Sequence, residues 1–143
     1  MIEIGGYQFE EDLYYDEHHQ YARVDGDVVT LGLSQYAQAA AGEIAYVGLP
    51  RPKRQVEQGK AIGSVESGKW VGRLYAPVSG EVIAANQALD DDPTLINHDP
   101  FGEGWVVKIR ANDLSQLNAL RRCTDGGFSD WFLAEVAKNT PGA

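Results

Sequence analysis

The chain has 143 residues, of which 43% are hydrophobic, and this is enough for a single domain with its own core. Lysine and arginine total 12, whereas aspartate and glutamate total 21, which gives a net charge of −9. Such an excess of negative charge argues against binding to nucleic acid or to an anionic membrane, and it favours basic partners.

Cysteine content and hydropathy predict a cytoplasmic protein. Cys123 is the only cysteine, so an internal disulfide is excluded. The chain opens without a charged-then-apolar leader, and no apolar stretch approaches the roughly 18 residues needed to cross a bilayer. We therefore expect a soluble cytoplasmic protein that forms one domain over residues 1–143.

The amino-terminal half predicts a hairpin followed by a short helix. Residues 20–24 and 27–33 alternate between apolar and polar side chains around an Asp-Gly turn, which is typical of two paired strands. Residues 34–41 read as a helix, with Ser34 placed to cap its amino end and Gly42 to end it.

The middle of the chain contains two similar apolar runs, which predict related halves. Each run opens with Gly-Glu and a β-branched residue, at 42–44 and at 80–82, and each is followed by a proline-containing loop. Short strands between glycine and proline turns predict two antiparallel sheets packed face to face, or a flattened barrel. The expected class is therefore mainly β, with pseudo-twofold half-repeats.

The carboxyl-terminal part changes to helical spacing, and we expect helices from about 113 to 138 that pack on the sheets. Asp113 and Gln116 are placed as a capping box before Leu114, Leu117 and Leu120. Ser129 is the predicted cap of a second helix. Cys123 is expected to be buried in this helical part, and a persulfide-accepting role is the alternative.

Lys69 is the candidate functional residue. It lies beside Gly68 between two alternating apolar segments, where a hairpin tip would hold its amino group in solvent. A lysine at such a tip can be acylated and then swing. The alternative is an ordinary solvated turn lysine.

Motifs in fixed order over residues 13–120 identify the chain as resembling the H protein of the glycine cleavage system, a lipoyl carrier. The motifs are LSQYAQ (33–38), GEI (42–44), VGLP (47–50), VESGK (65–69), YAPVSGEV (75–82) and NHDPFGEGW (97–105). The resemblance implies a lipoyl-domain sandwich with the modified lysine at a hairpin tip.

The resemblance also implies a cofactor and its recognition. It makes Lys69 the attachment site of lipoate, held as an amide, and it gives Glu66 and Gly80 roles in recognition by the lipoyl ligase or other lipoate-assembly enzymes. Acylation would remove the lysine's charge and extend it into a flexible thread whose two sulfurs exchange between disulfide and dithiol. Biotin is disfavoured, because biotin carriers usually flank their lysine with methionines and Met1 is the only methionine.

Two positions depart from the family pattern. Where the resemblance implies carboxylates that hold the cationic aminomethyl cargo, the chain has His19 and Arg73. We expect this exchange to favour an anionic cargo. An ion pair between Arg73 and Glu66 is an alternative for the arginine. Trp70 is expected to serve either in packing or in partner contact.

The function expected from these departures is a carrier without catalysis of its own. The favoured cargo is a sulfur intermediate on the way to sulfite, passed on the swinging arm to a heterodisulfide-reductase-like complex. The alternative is a glycine-cleavage carrier that serves glycine decarboxylase, aminomethyltransferase and dihydrolipoyl dehydrogenase. A non-lipoylated interaction domain is a third possibility. We expect no metal site, because the histidines lack a second ligand cluster.

Overall fold

The computed structural model describes residues 1–139, and within them the chain forms twelve strands, four α-helices and one 3-10 helix. In chain order the strands are β1 (Ile2–Ile4), β2 (Tyr7–Phe9), β3 (Tyr14–Tyr15), β4 (Gln20–Asp25), β5 (Val28–Leu33), β6 (Ile44–Gly48), β7 (Gln55–Val56), β8 (Ala61–Ser67), β9 (Val71–Tyr75), β10 (Gly80–Ala85), β11 (Val107–Ala111) and β12 (Arg121–Arg122).

The helices lie between these strands and at the carboxyl end. They are α1 (Gln35–Ala41), α2 (Ala88–Asp91), α3 (Leu95–His98), the 3-10 helix (Leu114–Ala119) and α4 (Phe128–Asn139). No helix among residues 1–139 has the length and apolar character needed to span a membrane.

The strands form three antiparallel sheets. The largest has the order β12-β3-β4-β5-β11-β10-β7, the second has the order β6-β8-β9, and β1 and β2 form a small hairpin. The expected mainly β fold with packed antiparallel sheets is confirmed, and the sheets are open and do not close into a barrel. The two similar runs become corresponding strands, since β6 pairs with β8 and β10 pairs with β11.

The predicted hairpin and first helix are both present. β4 and β5 pair around Gly26, whose φ of 64° is in the left-handed region that glycine adopts without strain. The Ser34 hydroxyl accepts a hydrogen bond from the Ala37 amide at 3.1 Å, and α1 ends at Gly42 with φ 86°. The hairpin therefore feeds a capped helix whose end faces the second sheet.

Two groups of buried side chains hold the elements together. The larger group lies between the two main sheets and includes Val29 and Leu31 from the large sheet and Val65 and Leu74 from the second sheet. The other group is aromatic and joins the β1-β2 hairpin, α1 and α4; its members are Phe9, Leu13, Tyr15, Tyr21, Tyr36, Cys123, Phe128 and Phe132.

The carboxyl-terminal part differs from the prediction in its details. The first helix is a short 3-10 turn, in which Asp113 accepts from the Ser115 amide at 3.0 Å. The capping-box role of Gln116 was wrong, because its side chain instead accepts from the Ser79 amide at 2.7 Å. The chain then adds β12 to the large sheet before it turns into α4.

The start of α4 also differs. The helix begins at Phe128, so Ser129 lies within its first turn and is not its cap. Cys123 is buried as expected, but it follows β12 in a turn and does not belong to a helix. Burial raises the pKa of its thiol, which makes it a poor nucleophile.

Candidate functional site

Lys69 lies on the exposed turn between β8 and β9, at the hairpin tip predicted for it. The Ser67 amide donates to the Trp70 carbonyl at 2.8 Å and closes the turn. The Lys69 amide donates to the Ser67 hydroxyl at 3.3 Å. The turn thus holds the lysine backbone while the side chain stays in solvent.

The turn packs against the carboxyl end of helix α1. The Ser67 hydroxyl donates to the Ala41 carbonyl at 2.6 Å and ties the turn to the end of the helix. The Lys69 methylenes lie over Gly42, where an added Cβ would stand 2.8 Å from Lys69 Cε. The absence of a side chain at Gly42 leaves the lysine room to lie flat or swing away.

Asn97 fixes the segment that carries Gly42. Its side chain accepts from the Ile44 amide at 2.9 Å and donates to the Gly42 carbonyl at 2.8 Å and to Gln38 Oε1 at 3.0 Å. The sequence places Asn97 in a resemblance motif but does not show this contact. The Asn97 side chain connects α3 to α1 and β6, and so it fixes the backbone segment on which Lys69 lies.

Trp70 folds back across its own strand. Its indole lies over Gly72, where an added Cβ would come within 2.0 Å of the ring. The ring remains 41% exposed. Trp70 therefore packs on its own strand, which only glycine at position 72 allows, and its role in partner contact stays a prediction.

A cleft of about 460 Å³ opens beside the turn, between the Trp70 ring and α1. It brings together the three residues that the sequence marks for cargo or partner contact, His19, Trp70 and Arg73. The remaining lining residues were not predicted, and they are His18, Gln20, Leu33, Tyr36, Ala37, Ala40, Ala41, Gly72 and Tyr75. The cleft adjoins the turn through Trp70, the neighbour of Lys69, and Arg73 is the permanent cation in its lining.

His19 enters this cleft in an unusual conformation. Its φ is 63°, and its ring stacks on Trp131 of α4 at a centroid distance of 5.3 Å. Its Nε2 lies 3.3 Å from Glu135 Oε1. Burial lowers the pKa of His19, and the neighbouring Glu135 opposes this in part.

The environment of His19 changes the expected charge of the site. A histidine whose pKa is lowered is mainly neutral at pH 7, and α4 adds the carboxylate of Glu135 beside it. Burial thus disfavours the charged form of the titratable His19, and the expected preference for an anionic cargo stays a prediction. Arg73 remains the cation of the rim.

Gln20 joins the two main sheets at the floor of the cleft. Its side chain donates to Asp16 Oδ2 at 2.7 Å and to the Tyr75 carbonyl at 2.8 Å, and it accepts from the Tyr75 amide at 2.9 Å. Burial raises the pKa of Asp16, while the hydrogen bonds from Gln20 and His18 lower it. This bridge fixes the distance between β4 and β9, and only the tertiary structure reveals it.

Glu66 lies on the outer face of the second sheet, whereas Arg73 is on the edge strand β9 and its side chain lines the cleft. In the pairing of β8 with β9, Glu66 stands opposite Val71 and Arg73 stands opposite Ser64. Within residues 1–139 neither Glu66 nor Arg73 forms an ion pair, so the alternative of a bridge between them is wrong.

Gly80 belongs to the large sheet and is not part of the tip. It pairs with Val56 on one side and Ala111 on the other, and an added Cβ would stand 2.0 Å from the Arg110 carbonyl oxygen. The structure therefore gives Gly80 a role in the close approach of neighbouring strands. Among residues 1–139, no cluster of three or more histidine, cysteine or acidic residues could hold a metal ion.

Comparison with known proteins agrees with this geometry. The family model described as glycine cleavage H-protein matches residues 13–126. The glycine cleavage system H protein of Thermus thermophilus is 43% identical over 126 residues, which cover 88% of this chain and 97% of that protein. The probable glycine cleavage system H protein of Pyrococcus abyssi is 48% identical over 118 residues, covering 81% of this chain and 87% of that protein.

A solved structure shows the same fold. The crystal structure of a glycine cleavage system H protein from Mycobacterium marinum superposes with a TM-score of 0.70 at 34% sequence identity, covering 73% of this chain and 87% of that one. The likeness extends over most of both chains, so it concerns the whole fold as well as the hairpin.

Proposed function

Because the chain belongs to the glycine cleavage H-protein family, we propose that it carries the aminomethyl group of glycine between enzymes, on lipoate attached to Lys69. The observation that carries the proposal is the position of Lys69, exposed on a rigid turn and beside a cleft that a lysine-borne group can reach. The proteins of this family are lipoyl carriers and not catalysts, and they hold lipoate covalently on a lysine.

The residues present fit the cofactor. Lipoate supplies a pair of sulfurs that exchange between disulfide and dithiol. Lys69 supplies an amine that loses its charge on acylation, on a four-carbon stem that Gly42 leaves free to move. The Ser67 hydrogen bonds hold the turn in place, so the arm moves on a fixed base. Tethering keeps the carried group at a high local concentration at each docked enzyme.

The charges beside the cleft support the glycine-cleavage role over a sulfur-carrying role. Burial disfavours the charged form of His19, and Glu135 adds a carboxylate beside it. The relatives from Thermus thermophilus and Pyrococcus abyssi carry glycine cleavage names. The proposed partners are therefore glycine decarboxylase, aminomethyltransferase, dihydrolipoyl dehydrogenase and the lipoate-attaching enzymes.

One observation favours a second function. Arg73 lines the cleft as a permanent cation and has no ion-pair partner among residues 1–139. A guanidinium at this position attracts an anionic cargo, as a heterodisulfide-reductase-like sulfur oxidation system would present. This sulfur-carrier function remains the second candidate.

Two successive assays test the proposal, first the attachment of lipoate and then the transfer of the aminomethyl group. The protein is incubated with a lipoate-attaching enzyme, and intact mass followed by peptide mapping is expected to place one lipoyl group on Lys69. A Lys69→Arg variant is expected to fold normally and to stay unmodified, because the residue is exposed. A wild-type protein that stays unmodified would instead identify a non-lipoylated interaction domain.

The loaded protein is then offered to glycine decarboxylase with glycine. Efficient aminomethylation supports the glycine-cleavage role. Failure of the loaded protein with glycine decarboxylase, together with turnover in a sulfur-compound oxidation assay, would establish the second function. An Arg73→Asp variant serves as the matched probe, since it should improve the first reaction and impair the second.

A further inference from the structure

The outer face of the second sheet carries, next to the Lys69 turn, a row of two apolar side chains with a glutamate between them. Tyr46 of β6, Glu66 of β8 and Val71 of β9 are directly opposite one another in the strand register. Side chains opposite each other on neighbouring strands share a face of the sheet. The inner face is formed by Val47 and Val65, which are buried. The three side chains are therefore one row across the outward face.

Two members of this row are apolar side chains left in solvent. Tyr46 is 55% exposed and Val71 is 68% exposed. The large apolar side chains exposed among residues 1–139 are Met1, Tyr46, Trp70, Val71, Leu114 and Leu133. Three of these six lie on the turn or beside it. This concentration at one tip of the molecule indicates a contact surface.

We propose that Tyr46 and Val71, which stand on either side of Glu66, are part of the docking surface for the enzyme that attaches lipoate to Lys69; the three residues are referred to as the outer row. The inference rests on the proposed function, since it requires Lys69 to be acylated. It adds Tyr46 and Val71 to Glu66, whose role in recognition the family resemblance implies.

The short reach of the unmodified lysine side chain favours the attaching enzyme as the partner that binds the outer row. Before acylation the amine ends a four-carbon stem, so an enzyme that reacts with it must cover the turn itself. A specific interface buries about 800 Å² on each partner, which is more than one turn offers, so the contact must extend onto the flanking sheet face. Enzymes that act after loading meet a much longer arm and can work at a distance from the sheet.

The side chains of the outer row indicate what the facing surface of the attaching enzyme should contain. Glu66 lies between two apolar side chains and makes no ion pair among residues 1–139. The attaching enzyme is expected to present an apolar recess for Tyr46 and Val71 with a lysine or arginine facing Glu66. Aromatic side chains such as Tyr46 are frequent anchors at interfaces, because they bury a large area with little loss of side-chain freedom.

The reaction that follows docking is an acyl transfer. The attaching enzyme supplies lipoate activated as an adenylate. Uncharged Lys69 Nζ attacks the activated carboxyl carbon, an amide C–N bond forms, and the bond to AMP breaks. The proton lost by nitrogen goes to solvent, and no electron is transferred to or from either partner. The outer row takes no part in these bonds and acts only in binding.

Loading kinetics test the outer row. The variants are Tyr46→Ser, Val71→Ser and the pair combined, each assayed with a purified lipoate-attaching enzyme, free lipoate and ATP, with the loaded fraction followed by intact mass. We expect the KM for the carrier to rise about tenfold in the double variant, as for loss of an interface anchor, with kcat within about twofold. Tyr46→Phe with Val71→Ile is expected to restore the wild-type KM.

A matched control and a second readout separate docking from folding. Leu114→Ser removes another exposed apolar side chain, one far from the turn in sequence, and it is expected to leave the KM unchanged. Urea unfolding is expected to give equal midpoints for the wild-type protein and Tyr46→Ser. If Val71→Ser proves unstable, the KM of the Tyr46→Ser variant alone tests the docking role. Fully loaded variants should be reduced by dihydrolipoyl dehydrogenase at the wild-type rate.

The opposite results overturn the inference. An unchanged KM in the double variant, or an equal rise in Leu114→Ser, would remove the outer row from recognition while leaving Lys69 as the lipoylation site. A wild-type protein that is never acylated would overturn the proposed function itself, which is a different outcome of the same experiment.

Discussion

Gly80 shows how a residue near a functional motif can be required for the packing of the backbone. The Arg110 carbonyl occupies the space that a Cβ at position 80 would need. Gly68, next to Lys69, has no atom within 4 Å of a built Cβ and does not have a positive φ. The two glycines therefore differ in what they tolerate, although both flank the same hairpin motif in sequence.

We predict that Gly80→Ala lowers the free energy of unfolding by about 1–3 kcal/mol, because β10 must move away from β11 to admit the methyl group. Urea denaturation measures the loss. Gly68→Ala is the control and should remain within about 0.5 kcal/mol of the wild-type protein. Equal stability of the two variants would contradict a packing role for Gly80.

His19 makes the stability of the protein depend on pH. In the folded state burial lowers its pKa, so below the ordinary histidine pKa of about 6.5 the unfolded chain takes up a proton that the folded chain excludes. Stability from this residue is therefore lost as the pH falls from that value through the lowered folded pKa. The groups that shift the pKa of His19 are Glu135, His18 and Arg121.

We predict that His19→Asn reduces this acid-induced loss of stability. Asparagine tolerates the positive φ at this position and does not titrate. Urea unfolding of both proteins between about pH 7.5 and about pH 5 should show their stabilities converging or crossing as the pH falls. Parallel pH profiles would show that His19 is not the source of the dependence.

At the scale of elements, the site depends on how separate pieces are joined. Gln20 of β4 bonds to both backbone groups of Tyr75 in β9, so that the large sheet and the lysine hairpin are held at a fixed distance. Asn97 does the same for α3 and the segment after α1. The side-chain amides of Gln20 and Asn97 therefore fix the elements that enclose the cleft beside Lys69.

We predict that Gln20→Ala destabilises the protein, because the Tyr75 amide and carbonyl and the Asp16 carboxylate each lose a buried partner. The cost is about 1–3 kcal/mol for each group that water does not reach. Thermal or urea unfolding measures it, with the exposed Gln87→Ala as the control. If Gln20→Ala unfolds like that control, the bridge does not contribute to stability.

At the scale of the whole molecule, the chain has a second, aromatic core that ties both ends of the sequence to the site. Phe132 of α4 lies against Phe9 at a centroid distance of 4.7 Å and against Tyr36 of α1 at 5.3 Å. The same helix carries Trp131 and Glu135 onto His19. The carboxyl-terminal helix thereby packs behind His19 and Tyr36, two residues that line the cleft.

We predict that Phe132→Ala costs about 3–5 kcal/mol of stability, as for a large aromatic side chain removed from a filled core. Leu133→Ala changes the neighbouring residue, which is exposed, and should cost far less. Denaturant unfolding compares the two. Similar losses would show that α4 is attached only loosely.

Features that depend on residues close together in the chain can be predicted from the sequence alone. The β4-β5 hairpin, the cap at Ser34 and the tip at Lys69 follow from turn residues and alternation within a few positions, and family motifs in register identify a lipoyl carrier. Local patterns fix these because strand pairing across a short turn and helix capping involve near neighbours.

The chemistry around the Lys69 turn depends on contacts that form only when the chain folds. The charge of His19 depends on its burial and on Glu135, a residue more than a hundred positions away that sequence spacing cannot bring near. The bridge from Gln20 to Tyr75 and the packing of Gly80 on Arg110 also join distant segments. Burial and long-range contacts set pKa values and the tolerance of a position to substitution, and these arise only when the sheets and helices pack.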